Sequence, residues 1–206
     1  MTGDREQRKK IHVMGASGAG VTTLGKALSR VLGSVHLDTD DFYWQPTDPP
    51  YLTSRSVEER ISLLNAAFSR ASQTGWILSG SLSRWGGAVV PLFDLVVFVD
   101  TPTELRIQRL RERESSRFGT TIAPGGPRHA QHEAFIAWAA EYNNEVYPSE
   151  SHGVAIGTRN RARHEAWLLQ LHCPVLRVGG ARPVEILVDQ VICALGEPIA
   201  IPARQC

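Results

Sequence analysis

Apolar positions along the chain follow two alternating rhythms. Ile11 to Met14 is a short apolar run that stops at a glycine-rich stretch, Gly15-Ala16-Ser17-Gly18-Ala19-Gly20, and the spacing from Val21 to about Leu32 then becomes helical. Val35-His36-Leu37 predicts a second strand, ending in the acidic cluster Asp38-Thr39-Asp40-Asp41, with a proline-rich loop from Pro46 to Pro50. Between Val57 and Ser72, Ile61, Leu64, Ala67 and Phe68 recur at helical spacing, and Gly75 marks the stop. Trp76-Ile77-Leu78 begins a third strand. Leu95 to Val99 is apolar at every position, the pattern of a strand buried on both faces of a parallel sheet. An arginine-crowded helix is predicted from Thr103 to about Arg117, then a Gly/Pro-rich loop from Phe118 to Arg128 with the composition of a segment able to move. Helices follow over about His132 to Glu145 and Arg161 to Leu171. Val175 to Val178 is the last strand and Val184 to Leu195 the last helix. Five strands alternating with helices predict an α/β fold with a parallel sheet.

Composition narrows the function classes. The 206 residues carry a formal net charge of +1, against a general nucleic-acid or membrane-surface binder, which needs a basic excess. No apolar run approaches the roughly 20 residues of a membrane helix, and the charged N-terminus lacks a secretion signal's apolar region. Cys173, Cys193 and Cys206 form no CxxC pair, so reduced thiols in a cytoplasmic protein are expected. The basic residues divide unevenly into nineteen arginines and three lysines, Lys9, Lys10 and Lys26.

The glycine stretch matches GxxxxGK[ST] from Gly15 to Gly20 and again at Thr22, but Val21 holds the lysine position. A bare GxxxxG is weak evidence; its place between a buried strand and a helix N-terminus gives it meaning, because free N–H groups and the helix dipole there favour phosphate. Thr22 offers a hydroxyl for Mg²⁺, and Thr23 a second one near the phosphates. The missing ammonium would normally bridge the β- and γ-phosphates, so either another cation replaces it, or transfer is slow, or nucleotide is only bound. Lys26, one turn on, is either that substitute or a solvated helix residue.

Asp38 and Asp40 fall at the carboxyl end of the second strand, where ligands of open α/β sheets collect. Asp38 is expected on the metal side and Asp40 as base or acceptor ligand, with Asp41 a cap or surface residue. Tyr43 and Trp44, after Phe42, either wall an acceptor pocket or simply fill space. Arg106, Arg109 and Arg113 share one helical face, and Arg159, Arg161 and Arg163 form a second cluster. Each group is either a phosphate clamp or a set of surface ion pairs, Glu104, Glu112 and Glu114 serving the first helix.

Taken together, the loop Gly15 to Thr23, Asp38-Thr39-Asp40, Pro102-Thr-Glu-Leu with Arg109 and Arg113, and Arg177-Val-Gly-Gly-Ala-Arg-Pro183 resemble the adenylate-kinase-like branch of P-loop kinases over nearly the whole chain. That branch includes nucleoside monophosphate, shikimate and gluconate kinases and the kinase-like DNA topology modulation proteins. The resemblance implies a P-loop NTPase fold, three-layer α/β/α with a five-stranded parallel sheet. It implies one domain over 1–206 with a lid insertion at about 114–160, and use of ATP and Mg²⁺. It also implies that Arg109 and Arg113 contact ATP and that Gly180, Arg182 and Pro183 line the base; from the arginine clusters themselves, Arg109 or Arg113, with help from Arg159 or Arg163, is expected to do the electrostatic work of the missing lysine. Ser79-Gly80-Ser81-Leu82-Ser83-Arg84 replaces the Asp-Gly-Phe-Pro-Arg of adenylate kinases, which argues against AMP as acceptor and leaves Arg84 to meet an anionic one. The Asp-x-Asp strand end looks more like the hydroxyl-phosphorylating members. The expected activity is Mg-ATP-dependent phosphotransfer to a small molecule; the alternative is a nucleotide-binding module with a degenerate loop.

Overall fold

A computed structural model describes residues 8–48, 50–144 and 159–196; Cys206 lies outside them. Five strands, β1 (Lys10–Gly15), β2 (Val35–Asp38), β3 (Trp76–Ser79), β4 (Leu95–Asp100) and β5 (Val175–Gly179), form one all-parallel sheet in the order β2-β3-β1-β4-β5. Among the described residues seven α-helices accompany them: α1 (Val21–Leu32), α2 (Thr39–Tyr43), α3 (Val57–Arg70), α4 (Thr103–Phe118), α5 (His129–Ala140), α6 (Arg161–Leu168) and α7 (Val184–Ala194).

Strand alternation splits the core in two. Ile11 and Val13 of β1, Ile77 of β3 and Val97 and Val99 of β4 meet Leu24 and Leu28 of α1 and Leu187 and Val191 of α7. Met14, Trp76, Leu78, Val96 and Phe98 face the other way, onto Leu64 and Phe68 of α3 and Leu168 of α6. The sheet therefore lies between two helical layers, with every strand's carboxyl end on one rim.

Several boundaries differ from the pattern read along the chain. α5 starts at His129, three residues early, and passes into a single 3-10 turn at Glu141–Asn143, while α6 ends at Leu168. The acidic cluster is a helix rather than a turn, because Asp38 accepts from the Asp40 N–H and caps α2. The Gly/Pro-rich segment after α4 contains a 3-10 turn, Gly119–Ile122, closed by an Arg128 N–H to Thr121 carbonyl bond.

The second core contains two buried histidines. His12 donates from Nδ1 to the Leu78 carbonyl and stacks on Phe93, which leaves its Nε2 buried without a partner. His164 pairs through Nδ1 with the Tyr142 hydroxyl, and its Nε2 is likewise unpartnered. Burial pushes His12 down to about 4 and, with Arg159 and His12 adding positive charge nearby, His164 down to about 3. Both are depressed bases, so unfolding takes up protons below the ordinary histidine value. Their contribution is complete above about pH 6.5 and is lost as pH falls from there through 4. Urea titrations between pH 7.5 and 4.5 should show stability falling at up to about 2.7 kcal/mol per pH unit, with His12→Phe removing about half of that slope. A slope unchanged in His12→Phe would show that the histidines are not the cause.

Candidate functional site

The rim at the strand carboxyl ends gathers the candidate residues. β1 runs into the loop Gly15 to Gly20, where Gly18 and Gly20 have φ of 80° and 97°, the left-handed region. A Cβ on Gly18 would lie 2.5 Å from the Arg106 carbonyl oxygen, so neither its conformation nor its setting admits a side chain. The Ala19 N–H bonds back to the Ala16 carbonyl and closes the loop. α1 then starts without a side-chain cap and without an acid in its first turn. Among the described residues, no group accepts from the N–H groups of Gly18, Gly20, Val21, Thr22 or Thr23. α2, α3 and α6 are capped by Asp38, Ser56 and Asn160, whereas α1, like α4, α5 and α7, starts without a side-chain cap.

The Thr22 hydroxyl donates to Asp38 Oδ2 at 2.9 Å, bringing the start of α1 to the end of β2. A hydroxyl and a carboxylate are the hard oxygen donors that Mg²⁺ takes, and the pair stands beside the free amides. Among the described residues there is no cluster of three His, Cys, Asp or Glu, so a cation here would rely on phosphate and water for its remaining ligands.

Asp40 is reached by solvent yet stands in a crowded cleft. That surrounding protein raises its carboxyl above the usual range, the Asp38 charge raises it further, and Arg159 and then Arg113 oppose the rise. The carboxylate is thus made more basic while remaining open to a ligand. The aromatic residues beside it form a wall. Tyr43 meets Trp44 at 4.7 Å and Trp85 at 6.5 Å between ring centres, and Trp44 meets Tyr51 at 5.9 Å. Arg117 lies 5.0 Å over Tyr51, so the loop after α2 touches the end of α4.

The arginines separate into different jobs. Arg109 donates to the Gly180 carbonyl at 2.9 Å, and its Nη1 is 3.7 Å from where a Cβ on Gly20 would be. It therefore joins the glycine loop to the segment after β5. Gly180 itself is pressed against the loop: a Cβ there would sit 2.0 Å from Thr101 Oγ1 and 2.8 Å from the Ala19 carbonyl oxygen. Arg182 and Pro183 are exposed on the same segment. Arg113 is exposed and bonded to Glu114, within electrostatic reach of Asp40. Arg159, from the far end of the chain, faces Asp40, Tyr142 and Tyr43.

Two arginines of the expected clamps are committed elsewhere. Arg106, placed by helical spacing on one face with Arg109 and Arg113, is 1% exposed and donates only to protein acceptors. Arg161 forks onto Asp100 at 2.9 and 2.7 Å. Arg163 is half-buried in the first turn of α6. Arg84 is exposed in the loop after β3 with φ 70°. Val21, in the lysine position, is 9% exposed and packs in the α1 side of the core. Lys26 is exposed and acts on His36 and Asp41 rather than on Asp40.

Pattern reading missed Arg60. It is 8% exposed on α3, its guanidinium carbon lies 3.7 Å from the Tyr43 ring centre and 5.9 Å from that of Trp85, and its Nε is buried without a partner. The signal was an arginine one turn before Leu64 and two before Phe68, on the inward stripe of the helix. A buried cation without a carboxylate bonded to it is costly unless an anion visits.

The uncharacterized protein YqaC of Bacillus subtilis (strain 168) is 39% identical over 185 residues, 90% of this chain and 96% of that protein. Shikimate kinase 2 of Sodalis glossinidius (strain morsitans) is 51% identical over 37 residues, 18% of this chain and 21% of that one. The crystal structure of shikimate kinase from Aquifex aeolicus superposes with a TM-score of 0.50 at 15% identity, covering 91% of this chain and 96% of the other. That likeness shows the fold, including the sheet order β2-β3-β1-β4-β5. No protein-family model matches the chain.

Proposed function

This chain belongs to the family of the Bacillus subtilis protein YqaC, and we propose that it is a Mg-ATP-dependent phosphotransferase acting on a small hydroxyl-bearing acceptor with an anionic group. The observation that carries the reading is the Thr22–Asp38 contact beside the row of free loop amides, with Asp40 two residues on. Shikimate kinase is a small-molecule kinase of the same fold.

In this reading the amides of Gly18 to Thr23 hold the phosphates, and Gly15, Ala16, Ser17 and Ala19 complete the loop. Arg109, with Gly180, Arg182 and Pro183, borders the base. Thr22 and Asp38 hold Mg²⁺, which when bound screens the phosphate charge and orients the transferred group. Asp40 accepts the proton of the acceptor hydroxyl as the oxygen attacks. Tyr43 and Trp44 wall the acceptor, and the buried Arg60, with Arg84 at the edge, meets its anionic group. Arg159 and Arg113, helped by Arg163, neutralise charge building on the transferred phosphoryl; the expected lid at about 114–160 includes 145–158, which lie outside the described residues, and the role is proposed for its described part.

Mg-ATP at about a hundred times its dissociation constant should raise the melting temperature by roughly 5–10 °C. Phosphoryl transfer should then appear in a panel of hydroxylated carboxylates and phosphates. No shift and no transfer across the panel would end this reading. A shift without transfer would favour a nucleotide-binding module, the reading supported by Val21 packing into the core.

A further inference from the structure

Among the described residues Arg106 is one of the largest fully buried side chains, and no carboxylate of theirs bonds to it. Its Nη1 donates to the Ser17 carbonyl at 3.2 Å and to the Ala139 carbonyl at 3.0 Å, its Nε to the Thr101 carbonyl at 3.2 Å, and its Nη2 to Thr103 Oγ1 at 3.0 Å. All four acceptors are uncharged. Asp100, the carboxylate acting most strongly on it and second to the Tyr142 phenol, is already forked by Arg161. The Tyr142 ring lies 5.1 Å away and closes the cage. The cation is thus solvated by backbone oxygens and keeps its charge behind the glycine loop.

A trans peptide places its C=O and the following N–H on opposite sides. When Arg106 draws the Ser17 carbonyl inward, the Gly18 N–H must point away from it. The Thr101 hydroxyl, donating to the Ala19 carbonyl at 3.0 Å, turns the Gly20 N–H by the same rule. Rotation of either peptide would put a carbonyl oxygen where a phosphate belongs.

We propose that Arg106 is a positioning residue for phosphate binding: from behind the loop it fixes the Ser17–Gly18 peptide with its amide outward, supplies positive charge that the Val21 position lacks, and ties the loop to α5 through Ala139. This rests on the loop being a polyphosphate site. It assigns one of the arginines to the ground state of binding, independent of any acceptor. It also means that a shift of α5 reaches the loop through a single guanidinium.

The test compares wild type, Arg106→Lys and Arg106→Met in dissociation constants for tripolyphosphate and for adenosine, which carries no phosphate. Tripolyphosphate affinity should fall roughly tenfold or more in Arg106→Met, with adenosine binding unchanged. Arg106→Lys should fall by about threefold, because one ammonium keeps the charge but cannot serve the acceptors as a fork does. Should Arg106→Met fail to fold, the lysine variant decides alone. Parallel loss of both ligands, or no loss of tripolyphosphate in a folded variant, would make Arg106 a fold brace only and overturn the proposal. A wild type that binds adenosine but not millimolar tripolyphosphate would overturn the phosphate site itself, a separate failure.

Discussion

Arg159→Ala should lower phosphoryl transfer by roughly a thousandfold, the scale on which a mobile arginine acts in phosphotransfer sites, with little change in ATP affinity. The argument is electrostatic. Around Asp40 the strongest cationic influence is Arg159, ahead of Arg113. Arg113 spends Nε and Nη2 on Glu114, with its side chain 55% exposed, so its influence is screened by water. Burial lowers the pKa of Arg159 while Asp40, Tyr142 and Tyr43 oppose that fall, and a guanidinium keeps its charge. On the proposed function, Arg159 would supply from the other side of the cleft the charge that a lysine at Val21 gives to the transferred phosphoryl, apart from the binding of the phosphates in the ground state. Val21→Lys gives the cross-check. In the wild type it should change the rate by less than about threefold, and in Arg159→Ala it should restore about tenfold, since a long stem leaves the core and delivers its ammonium to the phosphates. A gain of about a hundredfold from Val21→Lys in the wild type would mean that no arginine fills the role.

The second large effect is expected at Asp38. Asp38→Asn should reduce Mg-dependent transfer by roughly a thousandfold, because the carboxylate charge that faces the cation is lost. The fold should survive, since the amide oxygen can still accept from the Asp40 N–H and keep the cap on α2. The variant also has a signature in pH. Asp38 helps to raise the Asp40 carboxyl, so any remaining activity should lose its acid limb at a lower pH than in the wild type. Steady-state rates against Mg²⁺ concentration and pH measure both effects. Activity above about a tenth of wild type, with unaltered Mg²⁺ dependence, would remove Asp38 from the metal side.

Much of this architecture was legible along the chain. Strand ends are legible because β4 stops at Asp100 after an unbroken apolar run and β1 at Gly15 after a run broken only by His12, and both ends lie on the rim where ligand chemistry begins. The bond from Thr22 to Asp38 joins the start of α1 to the end of β2 on the rim shared by the strand carboxyl ends, although β3 separates β1 from β2, and composition alone does not give that contact. α2 was not legible, since five residues are too few for a period and its start depends on an Asp38 cap that reads equally as a turn. The arginines divided poorly for a different reason. Helical spacing places Arg106, Arg109 and Arg113 on one face, but α4 starts against the glycine loop, which buries Arg106, and its last turns reach solvent, which leaves Arg113 and Arg117 exposed. Arg60 escaped because a cation was not looked for among apolar positions.

The arginine surplus has a chemical consequence. Arg55 holds the Asp41, Phe42 and Trp44 carbonyls, Arg106 the Ser17, Thr101 and Ala139 carbonyls, and Arg109 that of Gly180. Arg106 spreads its bonds over Nε and both Nη atoms, the planar fork that an ammonium does not have, while Arg55 and Arg109 bond these carbonyls through Nη1. Lys9 and Lys10 lie at the opposite end of β1 from the rim, and Lys26 points to solvent from α1. Acetyl transfer, reductive methylation and amine-directed cross-linkers therefore find nothing to modify among the arginines that build the rim, whereas dicarbonyl reagents selective for guanidinium address it directly.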